Sequence, residues 1–350
     1  MTGPRAVVAD DSHFMRSVIT DILERGGVEV VGEAKNGHEA VEAVARTEPD
    51  VVTMDVEMPE MDGISAVERI MAETPTPVLM LSAHTDENAE VTFEALDAGA
   101  VDFFTKPGGE VSMEMSRLED QLVDIVRSVA EGDAEAGTGS DGRADSVPTE
   151  PADYVENPTL LVGSSTGGPK MVERVLAELP LAADFRVLIV QHMPEGFTGR
   201  FAERIDARSE YDVREASEGE WIGGGEALVA PGERHMLVSD YRGGDLEVTL
   251  TDDEPVNSIR PAVDMTMHSA AEVVDGPLVG VILTGMGEDG AAGITAIKDA
   301  GGRTIAQDEA TSAVFGMPKR AIETGHVDDV LPIEEIPTGI LATTTAEAPS

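Results

Sequence analysis

Three segments in the carboxyl-terminal half of the chain combine small residues with side chains suited to acyl-transfer chemistry. They hold three hydroxyls, two of them on serines, in GSSTGGP (163–169), an imidazole in QHMP (191–194) and carboxylates in LTGMGEDG (283–290). A hydroxyl that passes its proton to an imidazole becomes a nucleophile, and a carboxylate can hold that imidazole in the required tautomer. These residue types predict a serine hydrolase, provided that the fold brings the three segments together.

Each segment follows a short apolar run that is typical of a buried strand. The three runs lie over 159–162, 185–190 and 278–283, and further strands are predicted over 227–230, 236–239, 247–250 and 303–306, the middle two as a hairpin. A helical apolar pattern begins at Pro169, directly behind the serines. Because ligands bind at the carboxyl edge of a doubly wound sheet, we expect the three segments to meet there.

The same residues admit other interpretations. A glycine-rich turn between a strand and a helix often binds a nucleotide phosphate, although the G-x-G-x-x-G spacing and an acidic residue for the ribose are missing here. His235 and His268 compete with His192 as the base. Asp264 competes with Asp289 as the orienting acid. Spacing favours His192, because His235 follows a Pro-Gly pair and His268 lies within a predicted helix.

The amino-terminal half alternates strand-like runs with amphipathic stretches, which is typical of a parallel α/β sheet. Strands are predicted over 5–9, 29–34, 51–54, 78–81 and 100–104, and helices over 14–25, 38–47, 63–73, 88–98 and 113–129. Polar residues follow four of these strands, namely Asp10-Asp11, Asp55, Ser82 and Lys106-Pro107. The ordered set is expected at one edge of the sheet, although any single member could merely cap a helix.

The chemistry of this set is that of phosphoryl transfer. Three carboxylates at one edge repel one another unless a hard cation such as Mg²⁺ lies between them. With the metal bound, Asp55 can attack a phosphoryl group as a nucleophile. Lys106 can balance the added charge, and Ser82 can donate to a phosphoryl oxygen. The Lys106-Pro107 bond is also a candidate cis peptide.

The two halves are separated by a stretch that is rich in Gly, Ala, Ser, Pro and acidic residues and poor in large apolar ones. Such a composition cannot bury enough surface to offset its ordering entropy. The predicted organisation is a domain over 1–130, a flexible acidic linker over 131–156 and a second domain over 157–346. The predicted fold class is α/β, with two doubly wound parallel-sheet domains.

Charge excludes several functional classes. The chain has 68 acidic and 24 basic residues, which gives a net charge of −44, and it contains no cysteine. This charge should repel nucleic acid and anionic membranes, and it suits a protein that works in concentrated salt, where screening weakens self-repulsion. The chain shows neither a signal peptide nor an apolar run of bilayer length, so we expect a cytoplasmic protein.

Residues 5–107 resemble a response-regulator receiver domain, whose sheet is flavodoxin-like. The matching motifs are Asp10-Asp11-Ser12, MDVEMPEMDG (54–63), Ser82-Ala83 and Lys106-Pro107. The resemblance implies that Asp55 is the phospho-acceptor and that Asp10, Asp11, Asp55 and the Glu57 backbone carbonyl surround Mg²⁺. It also implies that Ser82, Phe103 and Lys106 are switch residues, with Phe103 standing where many receivers carry Tyr.

Residues 158–335 resemble the catalytic domain of the CheB family of chemotaxis protein-glutamate methylesterases, which is Rossmann-like. The matching segments are GSSTGGP (163–169), QHMPEGFT (191–198), APGERHM (230–236), RPAVD (260–264), LTGMGEDG (283–290), QDEAT (307–311) and GMP (316–318). By motif, the resemblance implies Ser165 as nucleophile, His192 as general base and Asp289 as orienting acid. The family often has Ser where this chain has Ala262. Backbone N–H groups near Thr166 and Met286 are our candidates for the oxyanion site.

The resemblance implies a phosphorylation-activated enzyme of sensory adaptation. It would demethylate glutamyl methyl esters on methyl-accepting chemotaxis receptors, deamidate glutamines there, and take phosphate from a chemotaxis histidine kinase. The expected cofactor is Mg²⁺ in the receiver, with none for the hydrolase. Two other classes remain, a transcriptional regulator and a phosphorylation-dependent binding module. The acidity and the lack of a basic face after residue 130 argue against DNA binding.

Overall fold

The computed structural model describes residues 3–82, 88–106, 113–131 and 157–344. The chain divides into two compact units, Met1–Ser140 and Asp141–Ser350. Pro107, with its candidate cis bond, and nearly all of the predicted linker lie outside the described residues. Among the helices that are described, none combines the length and hydropathy needed to span a bilayer.

The amino-terminal unit alternates five strands with five helices. The strands are β1 (Arg5–Ala9), β2 (Glu29–Ala34), β3 (Val51–Asp55), β4 (Val78–Ser82) and β5 (Asp102–Thr105), and the helices are α1 (His13–Arg25), α2 (Gly37–Thr47), α3 (Gly63–Glu73), α4 (Asn88–Asp97) and α5 (Met113–Glu131). The strands form one parallel sheet in the order β2-β1-β3-β4-β5. Every predicted element of this unit is confirmed to within two residues.

Local sequence explains where three of these helices begin. The side chains of Ser12, Asn36 and Asp62 accept hydrogen bonds from backbone amides three residues further on, as residues of these types do at helix amino termini. Strands β1 and β3 are adjacent although they are not consecutive in the chain. The chain therefore winds in opposite directions on either side of them, which opens the crevice in which such sheets bind ligands.

The carboxyl-terminal unit is a larger α/β layer structure. Its strands are β6 (Thr159–Ser164), β7 (Arg186–Gln191), β8 (Asp212–Glu215), β9 (Glu220–Ile222), β10 (Glu226–Val229), β11 (His235–Arg242), β12 (Asp245–Thr251), β13 (Leu278–Ile282), β14 (Arg303–Gln307) and β15 (Asp329–Leu331). Its helices are α6 (Gly168–Glu178), α7 (Thr198–Asp206), α8 (Val263–Val273), α9 (Ala291–Asp299), α10 (Met317–Glu323) and α11 (Ile336–Thr344). Seven strands form a parallel sheet in the order β15-β14-β13-β6-β7-β10-β8, and β11-β12-β9 form a small antiparallel sheet.

The crevice of this second sheet lies beside β6. Strand β6 pairs in parallel with β7 on one side and with β13 on the other. All three strands are buried along their full length. The chain reverses its winding direction between β6 and β13, so the loops after these strands flank the expected ligand site. Those loops carry the serines and Asp289, and the loop after β7 carries His192.

Candidate active site and phosphorylation site

The backbone around Ser165 is fixed by hydrogen bonds to the loop after β13 and to the first residue of α6. Ser165 N donates to the carbonyl oxygen of Thr284 at 3.0 Å, and its own carbonyl accepts from Gly168 N at 2.8 Å. The side chain of Ser165 is partly exposed, whereas Ser164 is fully buried and its hydroxyl donates to Gln191 Oε1. Of the two adjacent serines, only Ser165 presents a hydroxyl that is both accessible and uncommitted to another described residue.

His192 follows the neighbouring strand at the same level. Ser164 pairs with Gln191 in the β6–β7 register, and His192 N donates to Ser164 O at 3.0 Å. Ser165 and His192 therefore each lie one residue beyond a paired position. His192 Nε2 lies 2.8 Å from Asp289 Oδ2, which leaves Nδ1 as the ring nitrogen available to a hydroxyl. The two nitrogens have the opposite roles in the serine-protease triad.

Asp289 is fully buried at the end of the loop that follows β13. Its Oδ2 also accepts from Val263 N at 2.6 Å, and its Oδ1 accepts from Asp264 N and Gly290 N, both at 3.0 Å. Burial alone would raise the pKa of Asp289, but the hydrogen bond and charge of His192 and the backbone amides hold it below the ordinary value. The lowered pKa favours the ionised carboxylate, which lies within hydrogen-bond distance of the imidazole.

The rival residues occupy different environments. His235 is fully buried, with Nδ1 accepting from Ala262 N at 3.1 Å and Nε2 3.3 Å from the carbonyl oxygen of Glu254. Burial lowers the pKa of His235, which favours the neutral ring. His268 is exposed on α8. Neither imidazole is hydrogen-bonded to Asp289, so of the three histidines only His192 has a carboxylate partner in the described part of the chain.

The two oxyanion candidates lie on the loops after β6 and β13. Within the described residues, the backbone N–H groups of Thr166 and Met286 donate to no other group. Thr284 ties the two loops together, because its hydroxyl donates to Thr166 O at 2.9 Å and accepts from Val314 N at 2.9 Å. Unpaired amides on a braced backbone are what stabilisation of a developing oxyanion requires.

In the amino-terminal unit, one oxygen from each of Asp10, Asp11 and Asp55 falls within 4.8 Å of the others. Lys106 Nζ lies 2.8 Å from Asp10 Oδ2 and 2.7 Å from Asp55 Oδ2. Burial raises the pKa of Asp55, and the Lys106 ammonium opposes that rise. An all-oxygen, anionic donor set of this kind fits Mg²⁺. Glu57, the other residue of the expected metal set, is exposed two residues beyond β3.

Two of the three predicted switch residues, Ser82 and Phe103, are buried. Ser82 lies at the end of β4, with its hydroxyl 3.4 Å from Thr92 Oγ1. Phe103 on β5 packs edge-to-face against Phe93 of α4, with the ring centroids 6.2 Å apart. The aromatic ring at position 103 is therefore held by packing against α4.

Two family models match the chain. The model described as CheB methylesterase matches residues 160–340, and the model of the response regulator receiver domain matches residues 6–116. A Haloarcula marismortui protein named protein-glutamate methylesterase/protein-glutamine glutaminase is 67% identical, over 99% of each chain. The chain belongs to the CheB methylesterase family. A relative of the same name from Natronomonas pharaonis is 60% identical over 99% of each chain.

A solved structure supports the assignment of the catalytic fold. The crystal structure of the Thermotoga maritima CheB methylesterase catalytic domain is 41% identical to this CheB-family chain, with a TM-score of 0.51. The match covers 53% of this chain and 98% of that domain. The first relatives found come from halophilic archaea, which confirms the salt-adapted interpretation of the charge.

Several residues that build this CheB-family site were not singled out from the sequence. Gln191 Nε2 donates to the carbonyl oxygens of Ser165, at 2.9 Å, and His192, at 3.2 Å, so it joins the two loops. Gln307 Oε1 accepts from Thr284 N at 2.8 Å. Both glutamines are fully buried at the last position of a strand. A long polar side chain at the carboxyl end of a predicted buried strand was the available signal.

Proposed function

We propose that this chain has the two activities that its relatives' names state, those of a protein-glutamate methylesterase and a protein-glutamine glutaminase, and that Ser165 carries them out. The observation that carries the proposal is the 2.8 Å contact between His192 Nε2 and Asp289 Oδ2, beside an accessible serine. This contact supports His192 as an oriented base, and Ser165 follows the end of the adjacent strand β6.

The proposed reaction passes through an acyl-enzyme. The Ser165 hydroxyl gives its proton to His192 Nδ1 while Ser165 Oγ attacks the ester carbonyl carbon. The carbonyl oxygen becomes an oxyanion that the amides of Thr166 and Met286 can stabilise. The C–O bond to the methoxy group then breaks, and the imidazolium returns the proton to give methanol. A water molecule deprotonated by His192 releases the glutamate carboxylate and restores the Ser165 hydroxyl. In the amide reaction, ammonia leaves instead of methanol.

We also propose that phosphorylation of Asp55 raises this activity. The phosphodonor would be a chemotaxis histidine kinase, and the substrates would be methyl-accepting chemotaxis receptors. Asp10, Asp11, Asp55 and the Glu57 carbonyl would hold Mg²⁺, which neutralises charge on the phosphoryl oxygens when bound. Lys106 lies against Asp55 and can bind an added phosphoryl oxygen, while Ser82 can donate to another.

The test is methanol release from methylated receptor membranes in molar salt, with and without an acyl-phosphate donor. We expect the native chain to release methanol and the donor to increase the rate. Ser165→Ala should abolish release while Asp55 still accepts phosphate. Asp55→Asn should retain the unstimulated rate and lose the response to the donor. Undiminished release by Ser165→Ala would overturn the assignment of the nucleophile.

A further inference from the structure

The amino termini of helices α8 and α9 lie close together, and each is capped by a carboxylate from the start of the other helix. Neither helix is capped by its own N-cap residue, since Ala262 and Gly290 make no side-chain capping bond. Asp289, directly before the N-cap of α9, accepts from the first two amides of α8. Asp264, in the first turn of α8, accepts through Oδ1 from Gly290 N at 2.9 Å and Gly293 N at 2.7 Å. We call this arrangement of Asp264, Asp289 and the four amides the reciprocal cap.

We propose that Asp264 is a positioning residue, which holds the turn that carries Asp289 so that the buried carboxylate stays aligned with His192. The proposal rests on the proposed function, because it assigns Asp264 a part in the same catalytic centre. All hydrogen bonds of the Asp264 carboxylate within the described residues go to the backbone at the start of α9. It therefore acts through Asp289 and not on the substrate.

The N-cap position of α9 is poorly suited to supply this cap itself. Gly290 has φ 90°, and a Cβ built there would press on the Ile282 side chain. A serine or aspartate, the usual residues at an N-cap, would therefore be strained at position 290 by its backbone conformation. The amides of Gly290 and Gly293 are in a buried environment, where an unpaired N–H is costly. The Asp264 carboxylate of α8 accepts from both amides, and one of them belongs to Gly290, the residue next to Asp289.

Gly290 N is the point at which the two carboxylates are coupled. It donates to Asp264 Oδ1 at 2.9 Å and to Asp289 Oδ1 at 3.0 Å. Without the Asp264 side chain, Gly293 N loses its acceptor, and the turn at Asp289 and Gly290 loses one of the contacts that tie it to α8. The bonds from Val263 N and Asp264 N to the Asp289 carboxylate remain, but the backbone that carries Asp289 is less restrained, so its alignment with the His192 ring, 2.8 Å away, becomes less exact.

The cap needs the oxygen of Asp264 more than its charge. Both hydrogen bonds of the carboxylate are made by Oδ1, while burial and the neighbouring Asp289 carboxylate raise the pKa of Asp264 to about 6, so its negative charge is less favourable here than on an ordinary Asp. An asparagine offers an equivalent Oδ1 acceptor without that charge. Its amide nitrogen would replace Oδ2, which makes no hydrogen bond within the described part of the chain. Asp264→Asn is therefore the matched control for Asp264→Ala.

The experiment measures kcat and KM for methanol release by the full chain and both variants, together with hydrogen exchange of the Gly290 and Gly293 amides. We expect Asp264→Ala to lower kcat on the order of 10–10²-fold with KM unchanged, since substrate contacts are intact and only alignment is lost. Both amides should exchange faster in that variant. Asp264→Asn should restore the native kcat and the native protection.

Native kcat in Asp264→Ala would overturn the proposal. Equal losses of kcat in folded Asp264→Ala and Asp264→Asn would also overturn it, because the charge of Asp264, and not its Oδ1 acceptor, would then be the functional feature. If the alanine variant does not fold, the asparagine variant decides. Native turnover with a protected Gly293 amide supports the proposal, and lost turnover with native melting contradicts it. Failure of the native chain to release methanol would instead refute the proposed function, while hydrogen exchange would still report on the cap.

Discussion

Asp289 is the residue on which the candidate site depends most. A buried carboxylate is stable in ionised form only when hydrogen bonds replace its lost water, and Asp289 has three backbone amides and an imidazole as partners. His192 is correspondingly placed, with a side chain only 10% exposed and one nitrogen free of described partners. The remaining hydrogen bonds of the site, such as those of Gln191 and Thr284, join the loops that carry these groups.

Three histidine substitutions separate chemical from structural roles. His192→Ala should lower kcat by about 10²–10⁴-fold if His192 is the general base, and it should lower the melting temperature less than His235→Ala, because Asp289 keeps its three backbone donors. His235→Ala should instead lower the melting temperature, because it leaves the buried Ala262 amide without its acceptor. His268→Ala should change neither, because the ring is exposed. Methanol-release kinetics and thermal melts distinguish the three, and inactivation by His235→Ala without destabilisation would make His235 the base.

The sequence was sufficient to predict which residue types lie at the strand ends, but not the contacts that these residues make with one another. It placed Ser165, His192 and Asp289 in segments that the sheet order brings to one edge. The choice of Ser165 over Ser164 came from the family motif, and the burial of Ser164 is its physical counterpart. The role of Asp264 could not be predicted, because reciprocal capping depends on how two helices meet.

The elements around the site leave little free space. Gly285, between Thr284 and Met286, donates to Val314 O at 3.0 Å and accepts from Met317 N at 2.7 Å. A Cβ added to Gly285 would lie 2.8 Å from Ser165 Cβ and 2.9 Å from Ser165 N. The loops after β6 and β13 therefore pack backbone against backbone, which requires glycine at this close approach.

Gly285→Ala should reduce turnover far more than stability. The added methyl group must push the Ser165 backbone, and a displacement of roughly 1 Å near reacting atoms can cost on the order of 10²-fold in rate. Gly301→Asn is the control, because a Cβ at position 301 meets nothing within 4 Å and asparagine tolerates the φ of 85°. Comparable kinetics for the two variants would contradict the tight packing described here.

Among the strands of the carboxyl-terminal unit, the sequence predicted those with an apolar run or an alternating apolar pattern and missed those without either. The hairpin over 236–239 and 247–250 is confirmed and is longer, as β11 and β12, with glycines at positive φ in its turn. Strands β8, β9 and β15 were missed. They are three to four residues long, carry charged residues and are partly exposed, so no apolar run marks them. Tertiary pairing creates these strands.

For the whole molecule, the net charge of −44 is the dominant physical property. Carboxylates occur throughout the chain, so at low ionic strength they repel one another in the compact state. At 1 M salt the Debye length is about 3 Å, which limits repulsion to near neighbours. The relatives named above come from halophilic archaea, and we expect this chain to fold and work in high salt as well.

The expected consequence is salt-dependent folding. The free energy of unfolding should fall steadily as the chain is dialysed from molar to low salt, because screening of carboxylate repulsion is removed. Circular dichroism during denaturant titrations at several salt concentrations measures this directly. A sucrose series at low salt is the control for excluded-solute effects, and sucrose should not restore the stability that the chain has in molar salt. Undiminished stability at low salt would contradict the electrostatic explanation.

The central claim is that the Ser165 hydroxyl is the group that attacks the ester. The most direct test is to treat the full chain, in molar salt, with a serine-directed fluorophosphonate and to locate the adduct by peptide mass spectrometry. The account predicts one adduct at Ser165, formed slowly or not at all in His192→Ala and absent in Ser165→Ala. An adduct on Ser164, or a labelling rate that is the same in His192→Ala as in the native chain, would contradict it.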